Sequence, residues 1–136
     1  MTVRFLGVDL AWGEGNEKRP ANRSGVVALE RDGTISQAGW TIGLPDTLEW
    51  IERVAGTDGV LLFVDAPLVI ANETGQRLCE RNVGQRYGSY WVSANSTNRA
   101  SPRQAGVALR VALEASGWRY DDGVAGPAAG ARVVSE

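Results

Sequence analysis

The chain has 136 residues, of which 43% are hydrophobic and 22% charged, with a formal net charge of −2, one cysteine and no histidine. That length supports one domain with one core. Without histidine, Ser-His-Asp and Cys-His catalysis are excluded, and with Cys79 alone so are an intrachain disulfide and a thiolate-rich metal site. What remains is the chemistry of carboxylates, hydroxyls, arginine and Lys18, or of a cation held by oxygen ligands such as Mg²⁺, Mn²⁺ or Ca²⁺. No apolar run is long enough to span a bilayer, and Asp9 falls too early for a secretory leader. These features point to a cytoplasmic protein with no membrane partner.

Residues 3–10 (VRFLGVDL) read as a buried strand ending on a polar residue. The Gly- and charge-rich stretch 11–23 reads as a loop, where Gly13 and Gly15 either let a phosphate approach or simply permit a turn. Residues 24–31 (SGVVALER) predict a second strand, Asp32-Gly33 a tight hairpin, and 34–42 (TISQAGWTI) its antiparallel partner. A helix is predicted over 44–56, with Leu48, Ile51 and Ala55 on one face. Pro45 suits its first turn, Asp46 and Glu49 its positive end, and Gly56 its stop.

Residues 59–65 (GVLLFVD) form a near-continuous apolar run, the pattern of a central strand covered on both faces. The run ends at Asp65, and Pro67 opposes its continuation. Residues 68–101 lack clean periodicity, with some helical character around 74–86. SPRQ (101–104) predicts a helix start, with Ser101 as cap, Pro102 in the first turn and Gln104 closing a capping box. That helix should run to about Ser116, with Ala105, Ala108, Leu109, Ala112 and Leu113 inward and Gly117 as stop. A loop over 121–130 and a short strand over 131–136 complete the chain. The order predicts an α/β fold over 1–136, in which a three-stranded antiparallel meander precedes alternating helices and strands in a mixed sheet.

Asp9 and Asp65 each end a buried strand. If those strands are parallel neighbours, both carboxylates emerge outside the carboxyl ends of the sheet, where open α/β sheets bind ligands. Crowded carboxylates repel unless a cation separates them, and Mg²⁺ or Mn²⁺ meets that need. Two such ions, about 4 Å apart, can clamp the attacking and leaving oxygens of a phosphodiester. Glu136, ending the last strand, offers a third carboxylate. The plainer alternatives are turn-capping aspartates and a frayed terminal charge. Glu14 and Glu80 are secondary candidates that read first as solvated loop charges. Between 74 and 104, Arg77, Arg81, Arg86, Arg99 and Arg103 face only Glu80 and interleave with Tyr87, Tyr90 and Trp91. That composition suits a phosphate backbone with stackable bases, or else a solvated loop packed by its aromatics. Trp91 is the stacking candidate. The remaining tryptophans read mostly as core, and Cys79 as a small buried hydrophobe.

GVDLAW (7–12), SGVVAL (24–29), VDAPLVI (64–70), TGQRLCER (74–81) and the terminal VSE (134–136) together resemble the DUF429 family. The resemblance implies a ribonuclease-H-like fold and a nuclease acting on DNA or RNA with Mg²⁺ or Mn²⁺. It places Asp9, Asp65 and Glu136 at the acidic positions, as catalytic and metal-holding residues. It places Asn72, Arg77, Glu80 and Arg81 in the polar stretch after the fourth strand. Arg77, Arg81 and Arg99 would hold flanking phosphates, with Asn72 and Trp91 completing the substrate contacts. Family members run beyond the Ser-Glu matched by Ser135-Glu136, which implies either missing C-terminal elements or a minimal variant, and an open last strand that invites a homo-oligomer or leaves a disordered tail. Two other functions fit the same residues. One is a binding module for nucleic acid or nucleotide that keeps the fold without turnover. The other is a sugar-kinase or actin-like phosphotransferase half, since GVDLAWGEG followed by SGVVAL resembles their phosphate-binding hairpin.

Overall fold

Alternation of apolar and other residues builds the sheet that the sequence predicts. In the computed structural model, which describes residues 4–13, 15–57, 59–102, 104–126 and 128–136, β1 (Arg4–Asp9), β2 (Arg23–Leu29) and β3 (Ile35–Ile42) form an antiparallel meander. β4 (Val60–Val64) pairs with β1 in parallel, β6 (Arg132–Ser135) with β4, and β5 (Arg119–Tyr120) with β6. The result is a six-stranded mixed sheet of order β3-β2-β1-β4-β6-β5. Strand β5 was not predicted, because two residues carry no readable period. The hairpin between β2 and β3 is wider than a two-residue turn. Asp32 Oδ1 accepts the Thr34 N–H, and the register shifts between Ala28 and Leu29.

The chain forms two compact units. One runs to Leu68 and resumes at Ala105; the other is Val69–Gln104. In the first, α1 (Gly43–Ala55) and α3 (Ala105–Ala115) share one core with the sheet. Leu6, Val8, Val26, Ala28, Leu62, Val64 and Val134 supply the sheet side; Trp50, Ile51, Val54, Leu109 and Leu113 supply the helix side. All these sheet residues lie on one face by strand alternation. The other face of β3, β2, β1 and β4 is not matched by a second core. Trp40, Ile42 and Phe63 are exposed there, so β4 is not covered on both faces as its apolar run suggested.

Helix α1 begins at Gly43, with Asp46 Oδ2 accepting the Ile42 N–H at 2.7 Å. The fully buried Thr47 hydroxyl bonds to the Gly43 carbonyl and to Thr41 Oγ1, so this polar group enters the core satisfied. Helix α3 begins three residues later than Pro102. The Ser101 hydroxyl instead accepts the Asn98 N–H, and Gln104 Nε2 donates to the Arg99 and Ser101 carbonyls. Local side-chain bonds have competed with the helix start. Ala108 is exposed rather than inward; its place in the contact face is taken by Gly106. A Cβ at Gly106 would lie 2.3 Å from the Pro67 carbonyl oxygen, so only glycine permits this close approach.

In the second unit, α2 (Leu78–Tyr87) runs into a single 3₁₀ turn (Gly88–Tyr90). Glu80 is the buried residue of α2, and Cys79 is exposed, opposite to the expectation for both.

These two environments reverse the effect of one substitution. Gly106→Ala should destabilise the protein by about 1–3 kcal/mol through backbone overlap. Gly84→Ala, where nothing lies within 4 Å of the added methyl, should be neutral or stabilise by up to about 1 kcal/mol. Urea denaturation midpoints of the two variants check the sign.

Candidate functional site

The parallel pairing of β1 with β4 matches Val8 to Val64. The Asp65 N–H continues that ladder by donating to the Val8 carbonyl at 2.9 Å. Asp9 and Asp65 therefore lie side by side at the carboxyl ends of adjacent strands. Both are exposed, and both fall on the face opposite the helices, since Val8 and Val64 between their neighbours are buried. Across β1, Asp9 is matched to Gly25, and Gly25 in turn to Trp40. A Cβ on Gly25 would lie 3.8 Å from the Asp9 Cβ and 3.6 Å from the Trp40 ring. Glycine here leaves a shallow gap between an aromatic wall, 69% exposed, and Asp9. Trp40 was not legible as a site residue. The signal was present, since the hairpin register would have set it across from Gly25, but an indole in a strand reads first as core.

Glu136 reaches the same end of the sheet differently. Ser135 pairs with Phe63 on β4, so the next residue alternates back toward the helix-covered face. There Glu136 Oε2 accepts the Leu68 N–H at 3.1 Å. The Leu68 carbonyl accepts from Arg110 Nε at 2.8 Å, and Arg110 also pairs with Glu114. Residues 65–68 are thus pinned by Glu136, by Arg110 and by the close contact at Gly106. Among the described residues, no three His, Cys, Asp or Glu side chains gather to hold a metal ion. Asp9 and Asp65 come together; Glu136 is engaged beside them as a support for the turn that follows Asp65. Glu14 lies outside the described residues. Gly15, with φ +73° and the backbone of Arg19–Ala21 where its Cβ would be, serves the turn.

The remaining site residues belong to the second unit, and several are used internally. Asn72 Nδ2 is directed at the Thr74, Gly75 and Thr97 carbonyls. Arg77 is bound to Glu80 Oε1 through Nε at 3.0 Å and to the Val69 carbonyl. Arg99 pairs with Glu73. Glu80 is the hub: its Oε2 accepts the N–H of Arg77 and of Thr97, each at 2.9 Å. Arg81 and Trp91 are exposed and take no part in this network. Of the five tryptophans, Trp50 and Trp118 are buried while Trp12, Trp40 and Trp91 are exposed, so the expectation of mostly core positions is corrected.

The DUF429 sequence model, described as a protein of unknown function, matches residues 7–130 and so spans both units. The chain belongs to the DUF429 family. No curated protein and no solved structure matches it. For this DUF429 protein, the matched span contains Asp9, Asp65 and the whole Glu80 network, and ends before Glu136.

Burial opposes ionisation of Glu80, but bonds from Thr97 and from the Arg77 backbone and side chain outweigh it and hold the carboxyl below its ordinary 4.5. The folded pKa lies below the unfolded one. The stabilisation is therefore complete above about pH 4.5 and is lost as pH falls through the folded value. Glu80→Gln should lower stability at pH 7 by about 1–3 kcal/mol and flatten the acid limb below pH 4.5. Urea melts of both proteins from pH 7 to pH 3 measure this; parallel acid limbs would remove Glu80 as the cause.

Proposed function

We propose that this DUF429 protein is a divalent-cation-dependent nuclease of ribonuclease-H-like fold, hydrolysing phosphodiester bonds in DNA or RNA. The observation that carries this reading is the pair of exposed carboxylates, Asp9 and Asp65, on one face at the carboxyl ends of adjacent parallel strands. The antiparallel meander joined to parallel strands through β1 supports the fold assignment.

The donor set fits a hard cation. Asp9 and Asp65 offer oxygen ligands, and their exposure leaves room for the waters and substrate phosphates that complete an octahedral Mg²⁺ site. Such an ion, when bound, supplies charge stabilisation at the phosphoryl oxygens. The chain's own contribution is geometric. The β1–β4 ladder fixes the two carboxylates, Gly25 keeps the space beside Asp9 open, and Trp40 offers a flat apolar wall to a base or sugar. Glu136 holds the Leu68 amide and so the turn that carries Asp65.

A second reading, binding of nucleic acid without turnover, has its own support, because no third acidic side chain among the described residues joins the pair. Cleavage separates the two. Labelled single- and double-stranded DNA and RNA should be cut with Mg²⁺ or Mn²⁺ and remain intact with chelator. Asp9→Asn and Asp65→Asn should each slow cleavage at least about a hundredfold. Glu136→Gln should keep most of the rate, because its amide oxygen can still accept the Leu68 N–H, whereas Glu136→Ala should not. Mn²⁺ should raise the melting temperature of the parent and leave Asp9→Asn unmoved. Intact substrates under every metal condition would leave the binding reading in place of the nuclease.

A further inference from the structure

Trp91 is 97% exposed and is the one non-glycine among the described residues with a left-handed backbone, φ 62° and ψ 20°. It caps the 3₁₀ turn after α2, its N–H bonded to the Gly88 carbonyl at 3.1 Å. Helix ends favour glycine at such positions, because a side chain in this conformation is strained. Here the strained position carries the largest side chain, and that side chain is almost wholly exposed. Tyr90 is 74% exposed immediately before it, and Tyr87 and Val92 are also exposed.

The charge around these rings is one-sided. Residues 69–104 contain five arginines against two glutamates in a chain of net charge −2. Both glutamates are taken, Glu73 by Arg99 and Glu80 by Arg77. Arg81 and Arg86 form no ion pair with any described residue; Arg86 lies 5.9 Å from the Tyr87 ring centroid. On α2, Glu80 faces inward, so Arg81, Asn82, Gln85 and Arg86 form the opposite, exposed stripe at helical spacing. Arg81 and Arg86 are about 7.5 Å apart along the axis, so they can take neighbouring phosphates rather than one.

We infer that the exposed stripe of α2 and the aromatic turn after it form a docking surface for single-stranded nucleic acid. Arg81 and Arg86 hold the phosphate backbone, and Trp91, with Tyr90, stacks bases. Unpaired bases are required because a duplex hides the faces that an exposed indole would stack on. A lipid surface fits less well, since the stripe carries Asn82 and Gln85 between the arginines instead of an apolar face. The inference rests on the proposed function for the reaction the strand undergoes, but the contact itself is separable from turnover.

The test uses the full chain, chelator and fluorescein-labelled oligothymidylate and oligouridylate, read by anisotropy over a salt series. Single strands should bind tighter than a duplex of equal length. Arg81→Ala with Arg86→Ala should weaken binding at least tenfold and reduce the log–log salt slope by about 1.4, or 0.7 per lost phosphate. Trp91→Asn suits a left-handed backbone and should fold at least as well as the parent. It should bind roughly tenfold more weakly with an unchanged salt slope, and Trp91→Phe should restore most of the affinity. Parent-like binding by the Arg81/Arg86 and Trp91→Asn variants would overturn the surface even if the parent cleaves. Equal affinity for duplex would overturn it too, as would binding to phosphatidylserine vesicles without binding to the oligonucleotides, or a dimer that Trp91→Asn dissociates. Binding with the expected variant pattern, but no cleavage under any metal, would instead leave the surface standing and remove the nuclease reaction.

Discussion

The parallel pairing of β1 with β4 is the constraint on which the rest depends. Leu6 and Val8 match Leu62 and Val64, and all four enter the one core shared with α1 and α3. Burial of these side chains sets the register, because a slip of one residue would turn the whole apolar set to water. The same register sends the intervening residues to the opposite face, where Asp9 and Asp65 follow. The site is thus a by-product of core packing. Two carboxylates are held side by side by hydrophobic burial that neither of them contributes to.

A second layer of control acts just beyond Asp65. The chain leaves β4 and passes Ala66, Pro67 and Leu68, with Leu68 fully buried. Its backbone is fixed from both sides, by the Glu136 carboxylate on the Leu68 N–H and the Arg110 guanidinium on the Leu68 carbonyl. Gly106 lets α3 approach the Pro67 carbonyl closely. A residue three positions from a site can be set within a fraction of an ångström when three independent contacts agree, which is the way supporting contacts position functional groups.

The unit Val69–Gln104 is organised on a different principle. Among its described residues, those that are buried are polar, Glu80 and Thr97, and almost no apolar interior forms. Its loops are gathered by side-chain amides and a carboxylate bonding to backbone groups, as Asn72, Asn98 and Glu80 do. Such a network satisfies the buried Glu80 carboxylate but leaves aromatic side chains outside, and Tyr90 and Trp91 are exposed where a hydrophobic unit would have enclosed them.

Periodicity alone determined much of this protein. The meander, the helix at α1, the apolar β4 and the strand-end positions of Asp9 and Asp65 all follow from alternation, turn residues and the apolar runs, because these are local properties of the chain. Segment 69–104 was opaque for the same reason: hydrogen bonds between distant residues leave no period, so Glu80 read as a solvated charge and α2 as a vague tendency. Tertiary structure decided what depends on pairing and face. It placed Trp40 across Gly25 from Asp9 through the β2–β3 register, set Glu136 on the Leu68 N–H, and took Asn72 and Arg77 into internal bonds. Sequence composition names the groups available for chemistry; which of them share a face is set only when strands choose their neighbours.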